Sequence, residues 1–102
     1  MEKVIPLKAK ILMDENKDAI ILDVREFEEY LGDGHLPGAE LIPLGELVDR
    51  AFTDLPDKNA AIFVYCRSGQ RSAMAASMLD NMGYTNIYDI GGIIDWPFEI
   101  EK

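Results

Sequence analysis

Seven consecutive residues, Cys66-Arg67-Ser68-Gly69-Gln70-Arg71-Ser72, place a nucleophile, two cations and a glycine in one short polar stretch. They lie between an apolar run, Ala60 to Tyr65, and a small-residue helical pattern, Ala73 to Met82. A strand that delivers a cysteine into a short loop opening a helix aims loop amides and the positive end of the helix dipole at the sulfur. Gly69 gives the backbone room for positive φ, so consecutive N–H groups can form an anion-binding nest. With the nearby arginines, these features favour thiolate over thiol, so Cys66 is expected to be a nucleophile. A cysteine that merely filled a core position would need none of these neighbours.

Such a loop needs a scaffold, and 102 residues suffice for a single domain with its own core, residues 1–102. One cysteine excludes an intrachain disulfide and a resolving thiol in cis, so whatever Cys66 acquires must leave to an outside acceptor. Ten Lys and Arg against 19 Asp and Glu give a net charge of −9. That balance disfavours nucleic acid and anionic membrane as partners. It also repels an anionic substrate at long range, leaving capture to the arginines and amides within a screening length of about 8 Å. The first residues lack a long apolar segment, no run approaches a membrane span, and the cytoplasm is the expected location. A single Cys and single His cannot form a zinc site, and neither metal nor cofactor is expected.

Along the chain, Leu7, Ile11 and Leu12 at helical spacing predict a short helix over 6–15, with Pro6 in its first turn. Ala19 to Leu22 runs into Asp23-Val24-Arg25 as a strand buried on both faces, with its polar end where open sheets place ligands. Asp23 reads either as a helix cap over 26–30 or as a carboxylate that pairs an arginine and holds the loop. Arg25 reads as a structural ion pair. Gly32 to Ala39 is a loop, and its His35 reads as a turn histidine bonded to backbone more readily than as a general base. A brief strand at 40–43, a helix over 44–52, the buried strand at 60–65 and a final strand at 86–90 complete the pattern. Gly83 is expected to stop the helix that follows the cysteine loop, and Gly91-Gly92 marks a close backbone approach or the opening of a helix. Strands separated by helices, without hairpin signals, predict an α/β domain with a mainly parallel sheet.

Four fragments stand in a familiar order: Leu22-Asp23-Val24-Arg25-Glu26, Gly34-His35-Leu36-Pro37-Gly38-Ala39, Tyr65 to Ser72, and Gly91-Gly92 with Trp96. Together they resemble the single-domain rhodanese, or thiosulfate sulfurtransferase-like, family from Ile20 to Trp96. The resemblance implies a three-layer α/β/α fold and sulfur transfer. In that chemistry Cys66 takes the outer sulfur of thiosulfate or a persulfide donor, which includes a protein persulfide, and cyanide or a thiol removes it. It also implies that amides of Arg67, Ser68, Gly69, Gln70, Arg71 and Ser72 hold the persulfide charge, that Arg67 and Arg71 bind the sulfonate end of the donor, and that Asp23 and Arg25 support the loop.

Related dual-specificity phosphatases place five residues between Cys and Arg. Here four intervene, and Ser72 stands at the phosphatase arginine position. Phosphatase or arsenate reductase activity is therefore the weaker reading. Non-catalytic interaction modules of the same family often lack the cysteine that this chain keeps, while a sulfur carrier serving a partner enzyme fits the same residues.

Overall fold

Five consecutive buried residues, Ile62–Cys66, form the strand β4 at the centre of the molecule. A strand covered on both faces reads as a continuous apolar run, which is the pattern found here. The computed structural model describes all of Met1–Lys102. In chain order its elements are β1 (Glu2–Lys3), α1 (Pro6–Glu15), β2 (Ile20–Asp23), α2 (Phe27–Gly32) and β3 (Glu40–Leu41). A 3-10 turn (Leu44–Glu46) then leads into α3 (Leu47–Asp54), followed by β4, α4 (Gln70–Asn81), β5 (Ile87–Gly92) and a last 3-10 turn (Ile93–Asp95).

The sheet order is β1-β5-β4-β2-β3, and every pairing between strands is parallel. From β2 the chain leaves through α2 to the β3 edge, whereas from β4 it leaves through α4 to β5 on the other side. The C-terminal ends of β2 and β4 therefore flank the point where the winding reverses, the place where open sheets bind ligands. Asp23 is paired with Tyr65 there, directly before Cys66.

Side-chain alternation along β4 splits the core in two. Ile62, Val64 and Cys66 join Leu47, Ala51 and Leu55 of the α3 region and Ala75, Ala76 and Leu79 of α4. Ala61, Phe63 and Tyr65 join Ala9 of α1, Leu36 and Ile90 on the opposite face. Helices thus cover both faces, as the three-layer expectation requires.

Several local expectations are corrected. In α1, Leu7 and Ile11 are half or more exposed, while Ala9 is fully buried and Leu12 and Met13 pack with it. Residues 9, 12 and 13, at i, i+3 and i+4, share one helical face, and the small Ala9 lets the helix approach the sheet closely. The 44–52 helix is broken into a 3-10 turn and α3, with Val48 outward. The two-residue β1 was not expected; it is added at the sheet edge by pairing with Tyr88 and Asp89. Gly83, at φ +96°, ends α4 as expected: its N–H bonds Asp80 O and that of Tyr84 bonds Leu79 O, a Schellman closure.

Candidate active site

The cysteine loop is shorter than the sequence suggests, because α4 already begins at Gln70. Only Arg67, Ser68 and Gly69 lie between strand and helix. Gly69 adopts φ +109°, a conformation that other residues rarely hold, and this turn brings its N–H to Cys66 Sγ at 3.0 Å. No backbone carbonyl accepts from the amides of Arg67, Ser68, Gln70, Arg71 or Ser72. Those donors belong to the segment that directly follows Cys66 and opens α4, and the cysteine itself is buried.

Gly92 explains how the loop is held from the side. A Cβ on Gly92 would overlap the Arg67 carbonyl oxygen and lie 2.5 Å from Ser68 Cα, so only glycine fits against the loop at this point. The Arg67 carbonyl also accepts the N–H of Ile94, the second residue of the following 3-10 turn. Both readings of the paired glycines are therefore realised. A bulge in β5 makes the approach possible, since Val64 pairs with Asp89 and Tyr65 with Gly91, passing over Ile90.

Asp23 pairs with an arginine, but not with one of the loop arginines. Its carboxylate accepts from Arg25 Nε at 3.0 and 3.1 Å and Nη2 at 2.7 Å, and from the Arg25 amide at 2.9 Å. Neither Arg67 nor Arg71 reaches it. It is not a helix cap either, since Glu26 occupies the N-cap of α2. Arg25 is the structural ion pair expected of it. Burial works to lower its pKa, and the Asp23 carboxylate outweighs that and raises it. Arg25 Nη2 also donates to Gly34 O, tying the 33–39 loop to the sheet.

Tyr65 completes this buried cluster. Its hydroxyl donates to Asp23 Oδ2 at 2.7 Å and accepts the Leu36 N–H at 3.1 Å. Burial, then the adjacent carboxylate, pushes the phenol well up from its ordinary value. His35 serves this turn: Nδ1 donates to Leu36 O at 3.0 Å, and the ring stacks on Tyr30 at 3.9 Å.

The two arginines have different surroundings. Arg67 is exposed and pairs with no carboxylate. Arg71 is engaged by Glu29 of α2 in a two-pronged pair, Nη1 to Oε1 at 2.7 Å and Nη2 to Oε2 at 2.9 Å. Hydrogen bonding from Arg71, against some cost of burial, draws the Glu29 carboxyl down to about 2. Glu29 Oε1 also accepts the Glu26 N–H at 2.9 Å, capping α2. Ser72, expected at the substrate, is fully buried, and its hydroxyl donates to Asp89 Oδ1 at 2.8 Å behind the loop. Ser68 and Gln70 side chains are exposed.

Beside Arg67 runs a groove of about 300 Å³ lined by Arg25, Asp33, Arg67, Ile93, Ile94 and Ile100. Glu29, Tyr65 and Asp89 are the residues that sequence reasoning did not assign to the site. Glu29 stands three residues after Glu26, a capping spacing visible in the sequence, but nothing there names Arg71 as its partner.

Comparison with known proteins agrees with this geometry. Residues 6–97 match the Rhodanese-like domain. The chain is 43% identical over 74 residues to thiosulfate sulfurtransferase PspE of Escherichia coli, covering 72% of this chain and 70% of that protein. It is 40% identical over 72 residues to the tRNA sulfurtransferase of Thermoplasma acidophilum, covering 71% of this chain but only 14% of that longer protein. A solved structure described as rhodanese with anions from E. coli superposes with TM-score 0.76 at 39% identity, covering 82% of this chain and 98% of that one. The matched residues run from α1 to beyond the last strand and enclose the cysteine loop, so this chain belongs to the rhodanese-like domain family.

Proposed function

We propose that the protein is a sulfurtransferase that moves a sulfane sulfur through a persulfide on Cys66. The observation that carries this reading is the Gly69 amide on Cys66 Sγ at 3.0 Å, in a run of neighbouring amides that have no backbone acceptor. An anionic sulfur is the species such a cradle accommodates.

With thiosulfate as donor, the Cys66 thiolate attacks the sulfane sulfur. A new S–S bond forms as the old one breaks, and its electron pair departs with sulfite. The resulting persulfide carries its negative charge on the outer sulfur, within reach of the loop amides. Cyanide or a thiolate then attacks that sulfur, leaving as thiocyanate or a new persulfide and restoring the Cys66 thiolate. Thiolate and thiosulfate together bring three negative charges to one place, so the step depends on cation and amide donors. Arg67, exposed at the mouth, supplies the available guanidinium, and the groove beside it offers an approach for an acceptor.

Ser72 argues against phosphate chemistry. The residue standing where the phosphatases carry arginine is buried and turned towards Asp89, so it cannot ring a tetrahedral phosphate. A sulfur-carrier role uses the same persulfide and differs only in who removes the sulfur. A cytoplasmic setting suits the lone unpaired thiol, and no helix is long and apolar enough to cross a membrane.

Intact mass of the protein after thiosulfate, with and without cyanide, tests this directly. A gain of about 32 Da that cyanide removes and Cys66→Ser abolishes is expected from thiolate attack on sulfur. A protein that gains no sulfur from either thiosulfate or an alkyl persulfide is not a sulfurtransferase, and the reading falls.

A further inference from the structure

The family's chemistry calls for cations at the mouth, yet one of the two loop cations is already answered. Both outer nitrogens of Arg71 are held by Glu29 at 2.7 and 2.9 Å, and the pair is only partly exposed, with 32% of the Arg71 and 22% of the Glu29 side chain accessible. Glu29 is not free to swing away, since the same Oε1 accepts the Glu26 amide and closes the first turn of α2. Arg71 is nevertheless the second residue of α4, two positions after Gly69, whose N–H meets Cys66 Sγ at 3.0 Å. The carboxylate is therefore also part of the field felt at the sulfur.

Counting formal charges around the loop, Arg67 and Arg71 contribute two positive and Glu29 one negative. Of these groups only Arg67 has no salt-bridge partner, on a protein of net charge −9. A dianion such as thiosulfate needs more than that to approach a thiolate, whereas an alkyl persulfide brings a single negative charge. We propose that Glu29 is a specificity-determining residue that cancels Arg71, restrains dianionic donors and shifts the site towards persulfide donors of lower charge. This rests on the sulfurtransferase reading of Cys66 but is testable without it.

The probe is the charge preference of Cys66 itself, read by thiol modification. Thiolate attack on a methanethiosulfonate forms a mixed disulfide and releases methanesulfinate, so no sulfane transfer is involved. The measured quantity is the rate with 2-sulfonatoethyl methanethiosulfonate divided by the rate with neutral methyl methanethiosulfonate. Glu29→Gln removes the charge while its amide oxygen can still accept the Glu26 N–H. It is expected to raise this ratio roughly fivefold, the effect of one unit charge at short range. The thiosulfate KM should fall by a similar factor with kcat little changed, and the KM for an alkyl persulfide should move less. Glu28→Gln removes an equal charge from the exposed side of α2, where Glu28 pairs with nothing, and is expected to leave the ratio unchanged.

A folded Glu29→Gln protein with an unchanged ratio would overturn the proposal, as would an equal rise in Glu28→Gln. The double variant Glu29→Gln/Arg71→Gln decides the matter even if the single variant does not fold, because neither partner is left alone. A ratio within about twofold of wild type is expected when the pair is electrically silent, and a fall of fivefold or more would show Arg71 acting on anions despite Glu29. Persulfide mass and modification ratio are separate readouts, so either reading can fail without the other.

Discussion

The hydroxyl of Tyr65 donates to Asp23 Oδ2 at 2.7 Å, joining the residue immediately before Cys66 to the last residue of the neighbouring strand. Since Asp23 also binds Arg25 through both oxygens, one buried carboxylate sets the ends of β2 and β4 and anchors the 33–39 loop through Gly34. Removing Asp23 strands a buried guanidinium. Asp23→Ala is therefore expected to cost about 3–5 kcal/mol in urea unfolding. Tyr65→Phe loses one hydrogen bond to a charged group and orphans the Leu36 amide, for about 1–3 kcal/mol. If Asp23→Ala costs no more than Tyr65→Phe, the ion pair does not hold this end of the sheet.

Gly92 and Gly91 should separate loop placement from backbone strain. Gly91, at φ +85°, has open space around its missing Cβ, so Gly91→Ala pays only for the left-handed backbone, about 1–2 kcal/mol. Gly92 lies at an ordinary φ of −109°, but its Cβ would strike the Arg67 carbonyl and Ser68. Gly92→Ala is expected to displace the loop and lower kcat/KM for sulfur transfer at least tenfold, since an ångström of misplacement costs on the order of a hundredfold. Equal kinetic effects from the two substitutions would show that the contact with Arg67 does not position the loop.

Much of this was legible in the sequence because it is local. The helix over 6–15, the buried run into Cys66, the Gly83 stop and the Gly69 turn each follow from residues within a few positions of one another. What was not legible is pairing across long separations. Arg71 meets Glu29 across 42 positions and Tyr65 meets Asp23 across 42, with both partners in each case on neighbouring elements that only the folded sheet brings together. Charge and spacing show that Asp23 needs a cation but not which one, and the adjacent Arg25 takes the place expected of a loop arginine. The partner of the Ser72 hydroxyl is another such long-range pairing. A loop serine looks polar and available until β5 brings Asp89 behind it.

Charge bookkeeping at the mouth predicts an order of thiosulfate KM values. Arg67→Ala and Arg71→Ala each remove one positive charge, and the second also leaves Glu29 unpaired. Both should raise the thiosulfate KM roughly fivefold or more. Adding Glu29→Gln to Arg71→Ala restores the original net charge and should bring KM back towards wild type. Steady-state kinetics on the three proteins checks this. A double variant as poor as Arg71→Ala would mean that Arg71 contacts the donor directly, beyond its charge.

Acid should erase the contribution of the Glu29–Arg71 pair late. The Glu29 carboxyl titrates near 2 in the folded protein, against a reference value of 4.5. A depressed pKa stabilises the fold fully above the unfolded value, and that stability is lost as pH falls from about 4.5 through about 2. Because the pair is partly solvated, its worth is about 1 kcal/mol rather than the full shift. Wild type and Glu29→Gln should then differ by about that amount at pH 6 and converge as pH approaches 2, since a protonated Glu29 resembles the amide. Denaturant unfolding of both proteins at pH 6, 4 and 2.5 provides the check, and carboxyl carbon NMR of Glu29 reports the titration itself. A Glu29 midpoint near 4.5, or a stability gap that persists unchanged to pH 2.5, would show that Arg71 does not hold the carboxylate in solution.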